Sequence, residues 1–391
     1  MKIRNEELIK FCRELVRIPS YPGEEKEAVV LIQRWMKSLG FDEIHIDAFG
    51  SILGKINGTG GGKTVLLDGH VDTVGIGSRQ DWKHDPFGAD IENGRIYGRG
   101  TSDMKGALAA MIYAASRLTD ERPAGDVYVS GTVFEEKYEG VALRNILRNI
   151  HADYVIVGEA SELDLKTGQK GRAEIKITTH GKSGHAAHPE DAVNAVYKMQ
   201  TLIGEIRRMD LPVDAHLGPA IMELTDIISS PYPGTSVIPS ECTVTYDRRL
   251  VEGETRETVI AHIQAVIEEL RRSDPEFSAD IAVVKDRAEC YTGAGFTAER
   301  FFPAWYYDRE APFVRKALSA LRAAGINSSL ATYTFCTNAS ASAGELHIPS
   351  LGFGPSRENQ AHVCDEYIEI EQLVKAAHGY AALARTLSDN D

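Results

Sequence analysis

Apolar strand runs that give way to an acid or an imidazole constrain this chain most. Val65-Leu66-Leu67-Asp68-Gly69 leads into His70-x-Asp72, and Gly98-Arg99-Gly100-Thr101-Ser102 leads into Asp103. Glu135-Glu136, Gly158-Glu159 and Ala361-His362 follow in the same way. Each such residue stands where a strand run ends and a loop or helix begins. In open α/β sheets, ligands gather at that edge, outside the carboxyl ends of the strands. Carboxylates converging there in a poorly solvated cleft repel one another unless cations neutralise them. The pattern asks for metal.

The first part of the chain alternates helix and strand. Helices are expected over 24–39, 106–118 and 139–150, and strands over 44–46, 51–56, 64–67, 126–132 and 154–157. Strands alternating with helices imply a mostly parallel sheet with helices on both faces. The texture changes near Gly171, where 172–179 alternates apolar and polar residues like a strand with one wet face. Helices over 192–208 and 257–272 and strands over 220–228, 243–248 and 279–284 complete an inserted α+β module. The α/β texture resumes after about Pro303, with a helix over 311–324 and apolar runs ending at Gly352 and Gly354. The expected division is therefore 1–172 and 304–391 for an α/β catalytic domain and 173–303 for the insert. The run Gly58 to Gly62 before Lys63-Thr64 lacks the strand-then-helix frame of a phosphate loop and reads as a flexible hairpin turn.

Composition narrows the function. At 391 residues the chain has room for two domains. A net charge of −14 argues against nucleic acid or an anionic membrane surface as the main partner. Five scattered cysteines without a C-x-x-C pair favour reduced thiols and a cytoplasmic location. Residues 1–20 read as an amphipathic helix with Leu8, Phe11, Leu15 and Ile18 on one face, not as a signal peptide. No apolar stretch is long enough to span a bilayer.

Divalent cations of the zinc type take histidine nitrogen and carboxylate oxygen. Two such ions sharing a bridge need about one His and one acid each. His70 and Glu159 suit one ion, Glu136 and His362 the other, and Asp103 the bridge. Asp72, two residues from His70, can reach the other imidazole nitrogen with its carboxylate and fix the tautomer. Glu135, beside Glu136 but pointing elsewhere, is left to face the cleft as general base. Any one of these residues alone would be an ordinary surface or core group; five candidates at strand exits of one domain are not. Zinc is the expected ion, with cobalt or manganese as substitutes.

The stretches 67–74, 94–106 and 134–136 resemble the metallopeptidase family of acetylornithine deacetylase, succinyl-diaminopimelate desuccinylase and glutamate carboxypeptidase. Gly181-Lys182-Ser183-Gly184-His185-Ala186-Ala187-His188-Pro189 and Ala361-His362 extend the likeness over nearly the whole chain. The resemblance implies a zinc-peptidase-like domain with two metal ions and a lid domain that dimerises. It also implies hydrolysis of N-acylated amino acids or small peptides, and a cis peptide between Asp103 and Met104. Among the remaining residues, it points to His185 as an oxyanion donor reaching the partner subunit's site and to Arg249 as the binder of a substrate carboxylate. Cys336-Thr337-Asn338 stands where many relatives carry Gly-Thr-Asp, so Thr337 and Asn338 are expected at the substrate. Residues 235–250 and 302–308 look closest to the branch of hydrolases associated with selenium metabolism. N-Carbamoyl amino acids and dipeptides are alternative substrates, and a catalytically silent metal-binding dimer is the non-enzymatic alternative.

Overall fold

The computed structural model describes residues 5–390. Two compact units make up the chain: one of residues 1–169, 287–297 and 306–391, the other of residues 170–286 and 298–305.

The first unit is built on a mixed sheet. From one edge, its order runs Glu43–Ile46, Ile52–Ile56, Val127–Thr132, Val65–His70, Tyr154–Val157, Ser350–Gly352 and Leu165–Gln169. Leu330–Tyr333 also pairs with Leu165–Gln169. The four central strands, from Val127–Thr132 to Ser350–Gly352, are mutually parallel. Beyond them pairing turns antiparallel on both sides, while Leu330–Tyr333 runs parallel to Leu165–Gln169, so the sheet is mixed around a parallel centre. Every residue of Val65–His70 is buried, as a strand covered on both faces must be.

Lys105–Ser116 is buried along its whole length and packs beneath that strand. A side-chain carbon on Gly69 would stand 2.7 Å from the Met104 methyl and 3.5 Å from Leu108, so glycine there lets Met104 lie close against the strand. Asn5–Val16 buries Leu8, Phe11 and Leu15 as its spacing predicts, while Ile18 lies past its end. The expected helical stretch at 1–4 falls outside the described residues. The long helix Ile370–Ser388 has no counterpart in the sequence reading, although Leu373, Ala377, Tyr380, Ala384 and Leu387 carry a helical period and are buried.

The glycine-rich segment after Ile56 is not a hairpin turn, because Val127–Thr132 lies between the two strands it joins. Three of its N–H groups are engaged: Gly58 donates to Asp126, Thr59 to Pro123 and Gly60 to Ala124.

The second unit is an antiparallel sheet in the order Ile221–Ser230, Glu241–Leu250, Gly171–His180, Ser278–Val283. The two central strands alternate buried and open positions. The helices Ala195–Ile206 and Arg256–Ser273 close one face, with Ile175, Met199, Val244 and Ile263 in the shared core. That is the α+β insert expected from the alternation in 172–179. Among the described residues all five cysteines are free, and only Cys364 is exposed. No helix among them is long and apolar enough to cross a membrane.

Candidate metal centre

His70 ends its strand fully buried. Its Nδ1 lies 2.8 Å from the carbonyl oxygen of Asp72, a contact that requires the proton on Nδ1 and turns the Nε2 lone pair into the cleft. The carboxylate of Asp72 was the expected partner, but it stands 3.7 Å away. It accepts instead the backbone N–H groups of Glu135 (3.1 Å) and Glu136 (3.0 Å). Asp72 therefore anchors the turn carrying both glutamates, and its main chain does the orienting of the imidazole.

Asp103 lies between the two imidazoles. Its Oδ1 is 3.0 Å from His70 Nε2 and its Oδ2 is 3.0 Å from His362 Nε2. Glu159 Oε1 is 3.6 Å from His70 Nε2, and Glu136 Oε2 is 3.1 Å from His362 Nε2. Two sets result, His70–Asp103–Glu159 and Asp103–Glu136–His362, and each gathers its donor atoms within 4.8 Å of one another. Asp103 belongs to both. Glu135 joins neither; its Oε2 is 3.9 Å from His70 Nε2. The peptide between Asp103 and Met104 is cis.

Burial and crowding dominate the electrostatics. Burial, then the charge of Asp103, pushes Glu159 up to about 8. Glu136 is raised by the same two causes. Glu135 rises well above the carboxylate range, by burial and then by Glu159, Glu139 and Glu136. Hydrogen bonds to Asp103 and Glu136 lift His362 to about 10. Burial alone would depress His70, yet Asp103 and the nearby glutamates raise it. Asp103, against its own burial, is held well below its usual range by both imidazoles. Without metal, burial and crowding thus favour protonated glutamates and cationic imidazoles around an ionised Asp103. Mixed nitrogen and oxygen donors around a shared carboxylate fit dications of the zinc type, which would displace those protons.

Sequence reasoning missed Glu366. Its buried carboxylate accepts the N–H groups of Ser102 (2.7 Å) and Asp103 (3.1 Å) and pairs with Arg99 at 2.6 Å, so it ties down the loop that presents Asp103. Its position, four residues after His362, was the available signal.

Thr337 and Asn338 are engaged within the first unit. Both are buried. Asn338 donates to Asp68 and to Thr132 at 2.9 Å each and accepts from the Gly140 N–H at 2.7 Å. The Thr337 hydroxyl donates to Gln169 and accepts from the Ala339 N–H. These groups spend their hydrogen-bonding capacity holding the unit together. In the second unit, His185 is exposed on the short strand Gly184–His185, its Nδ1 accepting the Ala187 N–H at 3.0 Å. Arg249 is held by Asp247, with Nε 2.6 Å from Oδ1. Arg248, its neighbour, is buried against Glu254.

Fold and site together define a metal-dependent amide hydrolase: acids and imidazoles gathered into two clusters, with one carboxylate to spare. Residues 66–386 match the model of peptidase family M20/M25/M40, and the chain belongs to that family. It is 32% identical to the Escherichia coli K12 protein YgeY over 384 residues, 96% of this chain and 93% of that one; YgeY itself is described as uncharacterised. A tripeptidase from Staphylococcus aureus shares the fold with a TM-score of 0.78 at 20% identity, over 99% of each chain. The Bacillus subtilis protein YXEP, described as a dinuclear metal-binding peptidase, gives a TM-score of 0.74 at 16% identity over 98% of each.

Proposed function

We propose that this chain hydrolyses the amide bond of an N-acylated amino acid or small peptide-like substrate, using two divalent cations. The observation that carries the reading is the pair of donor sets sharing Asp103. His70 and Glu159 would hold one ion, Glu136 and His362 the other, and Asp103 both. Zinc fits the donors best, with cobalt or manganese as substitutes. When bound, the cations supply Lewis acidity, lowering the pKa of water at the site and polarising the scissile carbonyl.

Glu135, whose ionised form bound dications would favour, takes a proton from the attacking water at its carboxylate and returns it to the departing amine nitrogen, as general base and then general acid. Asp72 keeps the turn that bears it in register through the N–H groups of Glu135 and Glu136. In this reading the segment 173–303 is a lid that pairs two copies of the chain. His185 of that lid donates to the developing oxyanion in the partner subunit's site, and Arg249 takes the substrate carboxylate with its fork of donors. The likeness of 235–250 and 302–308 supports placing the chain in the selenium-metabolism-linked branch.

A metal-defined screen tests the proposal. Chelator-treated protein is reloaded with zinc, cobalt or manganese and offered N-acetyl and N-succinyl amino acids, N-carbamoyl amino acids and dipeptides. Metal-dependent release of a free amino acid from the acylated group or the dipeptides is the expected result. Turnover of carbamoyl substrates alone would shift the substrate class, and no turnover by fully loaded protein would overturn the reading.

A further inference from the structure

The segment 287–297 belongs to the first unit, although the chain enters it from residue 286 and leaves it at 298, both in the second. Lys285–Glu289 and Gly295–Glu299 form a two-stranded ribbon, an arrangement marginally stable by itself in water. Side-chain contacts therefore fix its place. Tyr291 donates its hydroxyl to Gly50 O at 2.8 Å, and Thr292 to Ala48 O at 2.7 Å. A side-chain carbon on Gly50 would fall 2.2 Å from the Tyr291 ring, so the ring fills space that only glycine leaves.

Phe296 continues the contact into an aromatic cluster. Its ring centre lies 5.2 Å from Phe49 and meets Phe134 (5.6 Å, 89°) and Tyr138 (5.1 Å, 82°) edge to face, a favoured geometry for aromatic pairs. Phe134 immediately precedes Glu135. Its φ of +62° is strained for a bulky residue and persists only where the surroundings impose it. They do so from several sides. The Phe134 N–H donates to buried Glu25 at 3.3 Å. Its ring is buried and lies near Gly23, where an added side-chain carbon would come within 3.3 Å. The Tyr138 N–H donates to the carbonyls of both Phe134 and Glu135.

We propose that Phe296 is a positioning residue: acting through Phe134, it makes the segment 287–297 a strap that holds the backbone bearing Glu135. The proposal rests on Glu135 being the proton shuttle. Proton transfer demands close placement of donor and acceptor, and a shift of about 1 Å can cost on the order of a hundredfold in rate.

The N–H groups of Phe134, Glu135, Glu136 and Tyr138 are all hydrogen-bonded, so their amide exchange reports on the strap directly. Zinc-loaded full-length wild type, Phe296→Ala and Phe296→Leu are compared by exchange mass spectrometry, metal content, and kcat and KM on whichever amide of the panel is turned over. In Phe296→Ala, exchange over 133–138 rises at least about tenfold while other peptides of the unit stay protected. Its kcat falls about tenfold to a hundredfold at nearly constant KM and metal content, and Phe296→Leu recovers much of the loss. Unchanged exchange over 133–138, or a rise spread evenly through the unit, overturns the strap. A wild type inert on every amide removes the proton-shuttle premise instead, and the exchange comparison still decides whether Phe296 holds the loop.

Discussion

Glu135 and His362 sit in the same cluster, and their surroundings separate them. Glu135 is buried, lies outside both donor sets and has its backbone pinned by Asp72. Glu135→Gln keeps the shape and removes the proton acceptor. Its kcat should fall by roughly 10²–10⁴-fold with metal content and melting temperature unchanged; a variant within a few-fold of wild type ends its role as base. His362 is half exposed and bonds both Asp103 and Glu136. His362→Ala should retain about one metal ion per chain where wild type holds two, read by elemental analysis after gel filtration, since only one set loses its imidazole. Two ions retained would break the assignment. His70, Glu135, Glu136 and Glu159 were legible because a polar group just after an apolar strand run is locally anomalous and needs a reason, whereas Asp103 sits in a turn and His362 follows a 3-10 helix. The Asp72 carboxylate was misread because spacing cannot tell a side-chain acceptor from the carbonyl of the same residue. The Asn338 bond to Asp68 was not legible, because the partner lies 270 positions away and no local pattern reports such a bond.

At the scale of elements, the loop carrying Asp103 and the helix Lys105–Ser116 depend on a group far along the chain. Glu366 gathers two N–H groups of the loop and the guanidinium of Arg99, all in the interior. Burial pushes its carboxyl up to about 7, with Arg99 opposing, which marks an acid costly to bury and retained for what it holds. Glu366→Ala leaves Arg99 buried beside an empty place, and breaking such a pair costs about 3–5 kcal/mol. Urea unfolding of the metal-loaded protein should show that loss as a lower midpoint, and a change below about 1 kcal/mol would mean the loop is held by other contacts. The elements themselves divided by the kind of signal they carry. The alternating strands of the insert were read from periodicity, which local residues set. The short strand Leu165–Gln169 was not, because it carries Lys166, Thr167 and Gln169 into the interior. Lys166 is there because Glu358, on a distant loop, pairs with it.

For the molecule as a whole, metal, protons and stability form one linked system. Glu159 keeps its proton up to about 8 in the folded chain, whereas an unfolded glutamate releases it near the ordinary carboxylate range. Between those values the folded state binds more protons than the unfolded one. The stabilisation is complete at low pH and is lost as pH rises through about 8. His362, raised to about 10, adds in the same direction, though its exposure weakens the contribution. The metal-free protein should therefore become less stable from pH 6 to pH 8, by at least about 1 kcal/mol in urea unfolding of chelator-treated samples. Bound dications replace those protons, so the loaded protein should show little change over the same interval. The gain from adding zinc then grows with pH, and binding releases protons, measurable by calorimetry in buffers of different ionisation enthalpy. Metal-free protein equally stable at both values, or zinc binding without proton release, would mean that the cluster of Asp103, Glu159 and the two imidazoles is not where the ions go.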